Sequence, residues 1–368
     1  MAIANHPPSV LMIGPSLSVK GGVSSVEKLM INNNLDRVEY ELLATTKDNN
    51  KLLKILDGVK SWFQFSILTL SRKPNLVHIH FASRGSVLRK IPLTIIAKKR
   101  HIPIILHAHG AEFKIFHDDE CSPFKKKRIR NFLNRASGLI VLSESWKEYY
   151  SNICDLPLDK IYVMKNPVDV SNIKVFNNEN YLDRIMMNSN GRIGHRKGSF
   201  DLLQCFKLLT PEIRSKSSFV ATGDGDVKKL NDYIIKNQLT DFAKTTGWLS
   251  NDEFLNLRKK CSIFLLPSYD EGLPMALIES MAHGQVPIVS PVGGIPEVIE
   301  NMKNGILVEP GDIKGLANAI TLLVSDNDLR HELSIKARET ALTLDINNYM
   351  FHIIDIYNSF LQNRHFSP

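Results

Sequence analysis

Short apolar runs alternate with amphipathic helical patterns along nearly the whole chain, and this alternation restricts the possible folds more than any other feature. Strands that alternate with helices form mostly parallel sheets covered by helices. The sequence therefore predicts an α/β fold with a parallel sheet in each half of the chain. The strand-like runs are residues 10–13, 75–81, 103–106, 138–143, 160–164, 184–187, 218–222, 263–266 and 286–290.

The length of the chain indicates that this pattern forms two domains. A single core rarely extends beyond about 250 to 300 residues, and the chain has 368. After residue 169 the composition becomes polar and rich in Asn, which is typical of a linker. We expect Rossmann-like domains over residues 1–169 and 183–345, a linker over 170–182, and a C-terminal helix and tail over 346–368.

Cysteine usage and hydropathy indicate a reducing compartment. The four cysteines, at positions 121, 154, 205 and 261, form no CxxC pair, so the spacing indicates neither a zinc ligand set nor a disulfide framework. No run of about 18 apolar residues predicts a membrane-spanning helix, and the first residues lack the pattern of a cleaved signal. We expect a cytoplasmic protein, placed at the inner face of the cell membrane if it binds lipid.

Positive charge is concentrated in the first half of the chain. The net charge is +8, and residues 1–170 hold 25 Lys and Arg against 15 Asp and Glu. Such a surface suits nucleic acid, anionic lipid or a phosphorylated substrate, and it is equally consistent with a solvated face that has no partner. The basic helical stretch 125–133 is a candidate for peripheral contact with an anionic membrane, with a solvated helix face as the alternative.

Two strand-like runs end in a His-x-His pair. His78 and His80 end one run, and His107 and His109 follow the next. Ligands of open α/β sheets bind outside the carboxyl ends of the strands, so both pairs are placed where chemistry occurs. Residues i and i+2 of a strand face the same way, so the pairs also suit a metal ion. No Asp or Glu cluster accompanies them, and we favour a site without metal.

The stretch 267–284 combines the strongest signals for an anion site. A buried strand ends at Leu266, a turn with Pro and Gly follows, and a helix is predicted to open at Pro274. The free N–H groups and the positive end of the helix dipole then face the ligand edge of the sheet. Glu271 lies just before this helix, and Glu279 lies about two turns into it.

The spacing of these two carboxylates bears on whether they act on one bond. If the segment were wholly helical, the backbones of Glu271 and Glu279 would lie roughly 12 Å apart. The paired carboxyl groups of glycosidases are about 5 to 9.5 Å apart. The spacing therefore favours two separate tasks over paired hydrolytic catalysis.

An ordered set of motifs identifies the family that the chain resembles. The set comprises the Gly21-Gly22 loop, His109-Gly110, Gly191-Arg192-x4-Lys197-Gly198, Glu271-x7-Glu279, and the run from 292–297 to 310–312. Together these elements resemble the retaining glycosyltransferases of family 4, most tightly over residues 190–320. The resemblance implies the GT-B architecture, in which two facing Rossmann-like domains enclose a cleft and a C-terminal helix crosses back to the first domain.

The resemblance also implies a role for each matching residue. Glu271 and His109 would contact the donor sugar and are the predicted catalytic residues. The predicted diphosphate ligands are Gly21, Gly22, Arg192, Lys197, Gly272, Leu273 and Pro274, and the predicted nucleoside ligands are Glu279, Trp248 and Leu249. Arg192, Lys197 and the helix N-terminus would stabilise the negative charge that develops on a departing diphosphate.

Two departures from the family pattern affect this region. Asn188, Ser189 and Asn190 replace the apolar residues expected in the strand before Gly191, so we predict only a weak strand over 184–187. Pro274 stands where the family often has Gly, which is compatible with the same helix start.

The resemblance implies a retaining, metal-independent transferase. It would move a sugar from a nucleotide sugar, with a UDP-sugar expected, to a lipid-linked or growing surface glycan, without a cofactor and without nucleic acid. Residues 1–169 would form the acceptor side and residues 183–345 would bind the donor. Three alternatives stay open: a nucleotide-sugar epimerase of the same architecture, a catalytically silent partner subunit, and a metal hydrolase built on the His-x-His pairs.

Overall fold

A computed structural model describes residues 7–34, 36–48, 50–171, 173 and 184–362, apart from the side chains of Lys51, Asn251 and Gln362. Its contacts divide the chain into two compact units. The first comprises Met1–Pro167 with Ile346–Pro368, and the second comprises Val168–Asp345. Most of the predicted linker and the tail 363–368 lie outside the described residues.

The first unit is built on a six-stranded parallel sheet. Its strands are β1 (Ser9–Gly14), β2 (Glu39–Ala44), β3 (Leu76–Phe81), β4 (Ile104–Ala108), β5 (Gly138–Val141) and β6 (Ile161–Val163). They lie in the order β2-β1-β3-β4-β5-β6, and every neighbouring pair is parallel. The central strands β3 and β4 are mostly apolar because helices cover a parallel sheet on both faces, and the exceptions are His78 and His80 in β3 and His107 in β4.

Six helices of the first unit connect these strands. They are α1 (Gly22–Asn32), α2 (Lys51–Ser71), α3 (Gly85–Lys99), α4 (Phe113–Asp118), α5 (Pro123–Leu133) and α6 (Glu144–Ile153). Helix α3 contacts both α2 and α5, so these three helices form one layer.

The second unit repeats the design. Its strands are β7 (Ile185–Asn190), β8 (Ser217–Thr222), β9 (Ala243–Thr245), β10 (Cys261–Leu266), β11 (Val286–Val289) and β12 (Ile306–Leu307). They lie in the order β12-β11-β10-β7-β8-β9, again with parallel pairing. The predicted α/β fold with a parallel sheet in each half is confirmed.

The helices of the second unit are α7 (Ser199–Leu208), α8 (Pro211–Lys216), α9 (Val227–Lys236), α10 (Asn251–Lys260), α11 (Met275–Ala282), α12 (Ile313–Ser325) and α13 (Asn327–Leu342). The last helix of the chain, α14 (Ile346–Gln362), belongs to the first unit and contacts α1. In the part of the chain that the structure describes, no helix is long and apolar enough to cross a membrane.

The polar end of β7 differs from the prediction that the strand stops at residue 187. It continues through Asn190, and Asn188 is fully buried. The Asn188 amide donates to Oδ1 of Asn190 at 3.2 Å, and the Thr222 hydroxyl donates to the same oxygen at 2.9 Å. These bonds satisfy one polar atom of each amide, whereas Asn188 Oδ1 and Asn190 Nδ2 are buried without a hydrogen-bond partner among the described residues.

Candidate active site

Glu271 is a buried carboxylate held by two cations and a hydroxyl. It lies between β10 and α11 and is 5% exposed. Nζ of Lys197 lies 2.5 Å from its Oε1, and the Ser268 hydroxyl donates to the same oxygen at 2.8 Å. Nη1 of Arg196 lies 3.6 Å from Oε2. A carboxylate with these partners has a fixed position and little freedom to attack an electrophile.

Close backbone packing brings Lys197 to Glu271. Gly198 has φ +64°, and a Cβ at this position would lie 2.1 Å from the carbonyl oxygen of Pro267. The Tyr269 N–H donates to the Arg196 carbonyl at 2.8 Å. Because only Gly permits this approach, the segment that carries Lys197 is held directly against the turn after β10.

A second glycine loop supports Glu271 from the other side. Gly293 has φ +57°, and a Cβ there would lie 1.9 Å from the Glu271 carbonyl oxygen. The Gly294 N–H donates to the Gly272 carbonyl at 2.6 Å. The turn that carries Glu271, Gly272 and Leu273 is therefore buried between two loops.

Pro274 is the N-cap of α11 and not part of its first turn. Its backbone is extended, with φ −71° and ψ 125°, and the helix begins at Met275. The prediction that the helix opens at Pro274 is therefore wrong by one residue, since Pro fits an extended cap as well as the first helical position. The helix N-terminus still follows directly on Gly272 and Leu273, and its first N–H groups have no partner inside the helix.

Glu279 has its own cation on a neighbouring helix. It forms an ion pair with Arg258 of α10. The Arg258 guanidinium lies 4.0 Å from the centre of the Phe254 ring, and the Gln285 amide donates to the Arg258 carbonyl at 3.0 Å. The Glu279 side chain keeps a quarter of its surface exposed. Glu271 and Glu279 therefore share no cation.

Arg192 lies in the loop after β7, on the same side of the sheet as Lys197. Both residues line a small pocket together with Asn190, Gly191 and Thr222. Arg192 is exposed, and none of the ion pairs among the described residues includes it. A planar guanidinium in this position is available to an anion.

Trp248 and Leu249 occupy the turn between β9 and α10. Trp248 is 42% exposed and Leu249 is half-buried. Ser250 then caps α10 through a capping box with Glu253. The Gly223 N–H donates to the Gly247 carbonyl at 2.9 Å, so the turn that presents the indole is tied to the loop after β8.

In the first unit, Gly21 and Gly22 lie at the N-terminus of α1. Gly21 is the N-cap, Gly22 is the first helical residue, and both are exposed. The Ser24 hydroxyl donates to the Gly21 carbonyl at 2.9 Å. The predicted glycine loop therefore presents free N–H groups at a helix N-terminus.

The four histidines of the two pairs form one stack at the carboxyl ends of β3 and β4. The His78 and His80 rings lie 4.3 Å apart, and the His107 and His109 rings lie 4.0 Å apart. Nδ1 of His78 lies 2.6 Å from the Tyr357 hydroxyl of α14, and Nδ1 of His80 lies 2.8 Å from Nε2 of His109. The sequence pattern predicted this convergence at one sheet edge.

Burial keeps these rings neutral. Loss of solvent, followed by the charge of Lys90, lowers the pKa of His109 to about 3. Burial, with a smaller contribution from His109, lowers the pKa of His78 to about 3, and burial also holds the pKa values of His80 and His107 well below their usual range. The stack therefore carries no net charge at neutral pH.

Three of these histidines could offer ligands to a metal. Candidate ligand atoms of His78, His80 and His107 all lie within 4.8 Å of one another. The His78 and His107 ring planes, however, are stacked with an angle of 13° between them. Lone pairs that bind one ion must converge on it, so metal binding would require these rings to turn.

A buried acid and base lie beside the stack. Glu27 of α1 is fully buried, and Lys90 of α3 is 2% exposed and donates to the Ser86 hydroxyl at 2.8 Å. Burial raises the pKa of Glu27 to about 8, opposed by Lys90, and burial lowers the pKa of Lys90 to about 7. The Glu27 carboxylate lies directly against Gly14, where no Cβ would fit.

Sequence reasoning missed several of these partners. Ser268 is a sequence neighbour of Glu271, so its proximity was a usable signal. The sequence contains no such signal for Arg258, Glu27 and Lys90, because their roles depend on which faces of separate helices pack together.

The fold and the site now define a class of protein. Over 95% of this chain and all of the other, the structure resembles that of Anabaena HepE in complex with UDP, with a TM-score of 0.75 and 18% identity. That neighbour is a GT-B protein, so the predicted GT-B fold is confirmed.

Family membership follows from two sequence matches. The Glycosyltransferase Family 4 model matches residues 34–172, and the model "Glycosyl transferases group 1" matches residues 171–340. The chain belongs to glycosyltransferase family 4.

Two curated relatives act on lipid-linked sugars, according to their names. The chain is 32% identical over 41% of its length to the N,N'-diacetylbacillosaminyl-diphospho-undecaprenol alpha-1,3-N-acetylgalactosaminyltransferase of Campylobacter jejuni, and the match spans 39% of that enzyme. It is 26% identical over 75% of its length to the UDP-Gal:alpha-D-GlcNAc-diphosphoundecaprenol alpha-1,3-galactosyltransferase of Escherichia coli, and the match spans 73% of that enzyme.

Proposed function

We propose that this protein is a retaining, metal-independent glycosyltransferase that moves a sugar from a UDP-sugar to a lipid-linked or growing surface glycan. The observation that carries the proposal is the arrangement around Glu271, a buried carboxylate held by Lys197 next to the N-terminus of α11. The names of the two relatives support the acceptor class, and the E. coli name supports a UDP-linked donor.

The proposed reaction exchanges one bond for another at the sugar's C1. The bond from C1 to the diphosphate breaks, and its electron pair stays on the phosphate oxygen. A bond forms from an acceptor hydroxyl to C1 on the same face, and the hydroxyl proton passes to the departing phosphate. Positive charge on the sugar and negative charge on the diphosphate both grow in the transition state, so preorganised charges on each side lower the barrier.

The residues of the second unit would have separate roles in this reaction. Arg192, Lys197 and the N–H groups at the start of α11 would hold the diphosphate. Glu271 would orient the sugar hydroxyls and balance the positive charge at C1. Its contact with Lys197 makes it a poor nucleophile, which supports this role over covalent catalysis. Lys197 contacts Glu271. A diphosphate bound to Lys197 would therefore lie close to the carboxylate that orients the sugar.

The nucleoside would lie beside Glu279. Arg258 holds the Glu279 carboxylate in place, and a carboxylate oxygen that remains accessible can accept bonds from both ribose hydroxyls. Trp248, exposed on its turn, offers a flat apolar surface for the base. In the first unit, His109 would approach the donor sugar as a neutral hydrogen-bonding group, and Gly21 and Gly22 would approach the diphosphate.

The donor site is tested by titration calorimetry with UDP and with UDP-sugars. We expect Glu279→Gln to weaken UDP binding about tenfold or more, because a hydrogen bond to a charged group contributes roughly 1.5 to 3 kcal/mol. The matched control is Glu339→Gln, which removes an exposed carboxylate of the same unit. Equal affinities for wild type and Glu279→Gln would contradict the assignment.

Product analysis separates the proposal from its rivals. The protein is incubated with a UDP-sugar and a diphospholipid-linked sugar, and the products are separated by chromatography and mass spectrometry. A longer glycan with a retained anomeric configuration supports the proposal. A changed sugar nucleotide that forms without acceptor would indicate an epimerase, and UDP binding without any turnover would indicate a silent subunit.

A further inference from the structure

Helix α2 of the first unit presents an apolar stripe to solvent. The stripe consists of Leu52, Leu56, Phe63, Ile67 and Leu70, whose exposed fractions range from 56% to 75%. Their spacing places them along one side of the helix, since residues three, four and seven apart share a face. The stripe spans 18 residue steps, which is roughly 27 Å at 1.5 Å per residue.

The stripe is not the face that α2 uses to pack in its own unit. Gly58, Ser61, Phe65 and Thr69 are the buried positions of this helix, on the opposite side. The Trp62 indole donates to the Arg89 carbonyl of α3 at 2.7 Å and fixes the helix in this orientation. Soluble proteins seldom expose contiguous large apolar side chains, and such surfaces mark an interaction site.

Basic residues are frequent on the segment that carries the stripe. Residues 51–73 contain Lys51, Lys54, Lys60, Arg72 and Lys73 against a single acidic residue, Asp57. Asp57 accepts a hydrogen bond from the Lys47 N–H at 3.1 Å. The segment that carries the stripe therefore has a net charge of +4.

The neighbouring helices of this layer continue the positive surface. Helix α3 ends in Lys98 and Lys99. Helix α5, which the sequence indicated as a membrane candidate, exposes Lys125, Lys127 and Arg128 but only one large apolar side chain, Phe124. Helix α5 thus supplies charge without a surface that could insert into lipid.

We propose that the α2–α3–α5 layer docks on an anionic lipid surface, with the apolar stripe of α2 inserted at the level of the headgroups. Amphipathic helices bind in this way when apolar residues enter the interface and basic residues meet anionic lipids. A second copy of the chain is a poorer occupant, because pairing through the stripe would bring two strongly positive surfaces together. The inference rests on the proposed function in one respect: docking on lipid would bring the enzyme to a lipid-linked acceptor.

The test is flotation of the full chain with vesicles of equal parts phosphatidylglycerol and phosphatidylcholine, compared with vesicles of phosphatidylcholine alone. We expect wild type to float with the anionic vesicles only. The variant Leu56→Ser/Phe63→Ser/Ile67→Ser should lose at least tenfold in partitioning. Its melting temperature and its affinity for UDP should match wild type, since the substituted side chains are exposed.

A matched control removes exposed apolar residues from the second unit. Leu208→Ser/Ile235→Ser/Ile335→Ser changes side chains that are 54%, 57% and 45% exposed, and it should float as wild type does. A charge variant, Lys60→Gln/Lys73→Gln, should weaken binding about 25-fold, because each basic residue near an anionic surface contributes a factor of about five.

Three outcomes would overturn the inference. The stripe variant floats as well as wild type, or wild type ignores anionic vesicles, or wild type sediments as a dimer that the stripe variant dissociates while neither protein floats. These outcomes are independent of the proposed activity. A chain that binds UDP and ignores vesicles contradicts only the docking, whereas a chain that floats and binds no nucleotide contradicts only the transferase.

Discussion

The two units bury their polar groups in opposite electrostatic states. In the second unit, Glu271 and Glu279 each meet a cation, Lys197 and Arg258 respectively. In the first unit, the buried His78, His80 and His107 and the half-buried His109 stack on one another and stay neutral because loss of solvent lowers their pKa values. The histidines lie in β3 and β4 or directly after β4, whereas Glu271 and Glu279 follow β10. Two related sheets thus provide fixed charge in one unit and uncharged hydrogen-bonding groups in the other.

This difference shows how burial selects the chemistry that a sheet edge can perform. Paired charges already oriented in a buried site can stabilise charge that develops in a substrate without reorganisation. Neutral imidazoles can accept and donate hydrogen bonds to sugar hydroxyls without attracting counterions. The division matches a reaction in which a charged donor meets an uncharged hydroxyl.

The largest expected effect comes from breaking the charged set. Lys197→Ala should lower the rate of sugar transfer roughly 10²- to 10³-fold, which is the usual loss when one preorganised electrostatic contact to a developing charge is removed. Lys216→Ala breaks an exposed ion pair of the same unit and serves as the control. The measurement is kcat with a UDP-sugar and a lipid-linked acceptor. If both variants transfer at the wild-type rate, the charged set is not the catalytic one.

The neutral set should make the first unit sensitive to acid. The folded pKa values of His78 and His109 are about 3, whereas the unfolded values are about 6.5. The unfolded chain therefore binds more protons between these limits, so stability is full above pH 6.5 and falls as the pH falls towards 3. Each such histidine costs roughly 1 kcal/mol per pH unit. Glu27, with its folded pKa raised to about 8, acts in the opposite direction between pH 4.5 and 8. Its single carboxyl opposes two histidines, so the net effect of acid is still a loss of stability.

Tryptophan fluorescence distinguishes the two units in this experiment. Trp62 and Trp146 lie in the first unit and Trp248 in the second. Urea melts of Trp248→Phe report on the first unit, and those of the double variant Trp62→Phe/Trp146→Phe report on the second. Among its described residues the second unit contains one comparable group, His283, whose pKa burial lowers to about 4, so this unit should lose much less stability. Equal losses in both units would contradict the comparison.

The smallest expected effect is that of a chelator. EDTA should leave the transfer rate within about twofold of its untreated value, because Arg192, Lys197 and a helix N-terminus supply the charge that a metal would otherwise provide. Activity lost with EDTA, restored by Zn²⁺ and absent from His107→Ala would instead favour the metal-dependent alternative built on the histidine pairs.

Much of this architecture could be predicted from sequence because the signals were local. Strands such as β3 and β10 are buried on both faces and therefore appear as mostly apolar runs, interrupted in β3 by His78 and His80. The sequence predicts an amphipathic helix over residues 52–70, but periodicity does not say which face packs inward, and the exposed apolar stripe of α2 emerged only from the structure.

The candidate site could likewise be predicted only in part. The residues that match the family motifs could be listed from the sequence, whereas their partners could not. Lys197 and Glu271 are 74 positions apart, and the ion pair depends on the close approach that Gly198 allows. The polar end of β7 was underestimated because Asn188 donates to Asn190 along the strand and Thr222 of β8 donates to the same oxygen, and single-sequence patterns do not show such pairing.

The order of synthesis gives the last helix a particular importance. The second unit is one uninterrupted stretch of chain, but the first is not complete until α14 has been translated. Tyr357 of this helix then supplies the hydroxyl beside His78. The second unit can therefore fold on the ribosome while the first waits for its final element. A premature stop after Asp345 would consequently leave the second unit complete and deprive the first unit of α14.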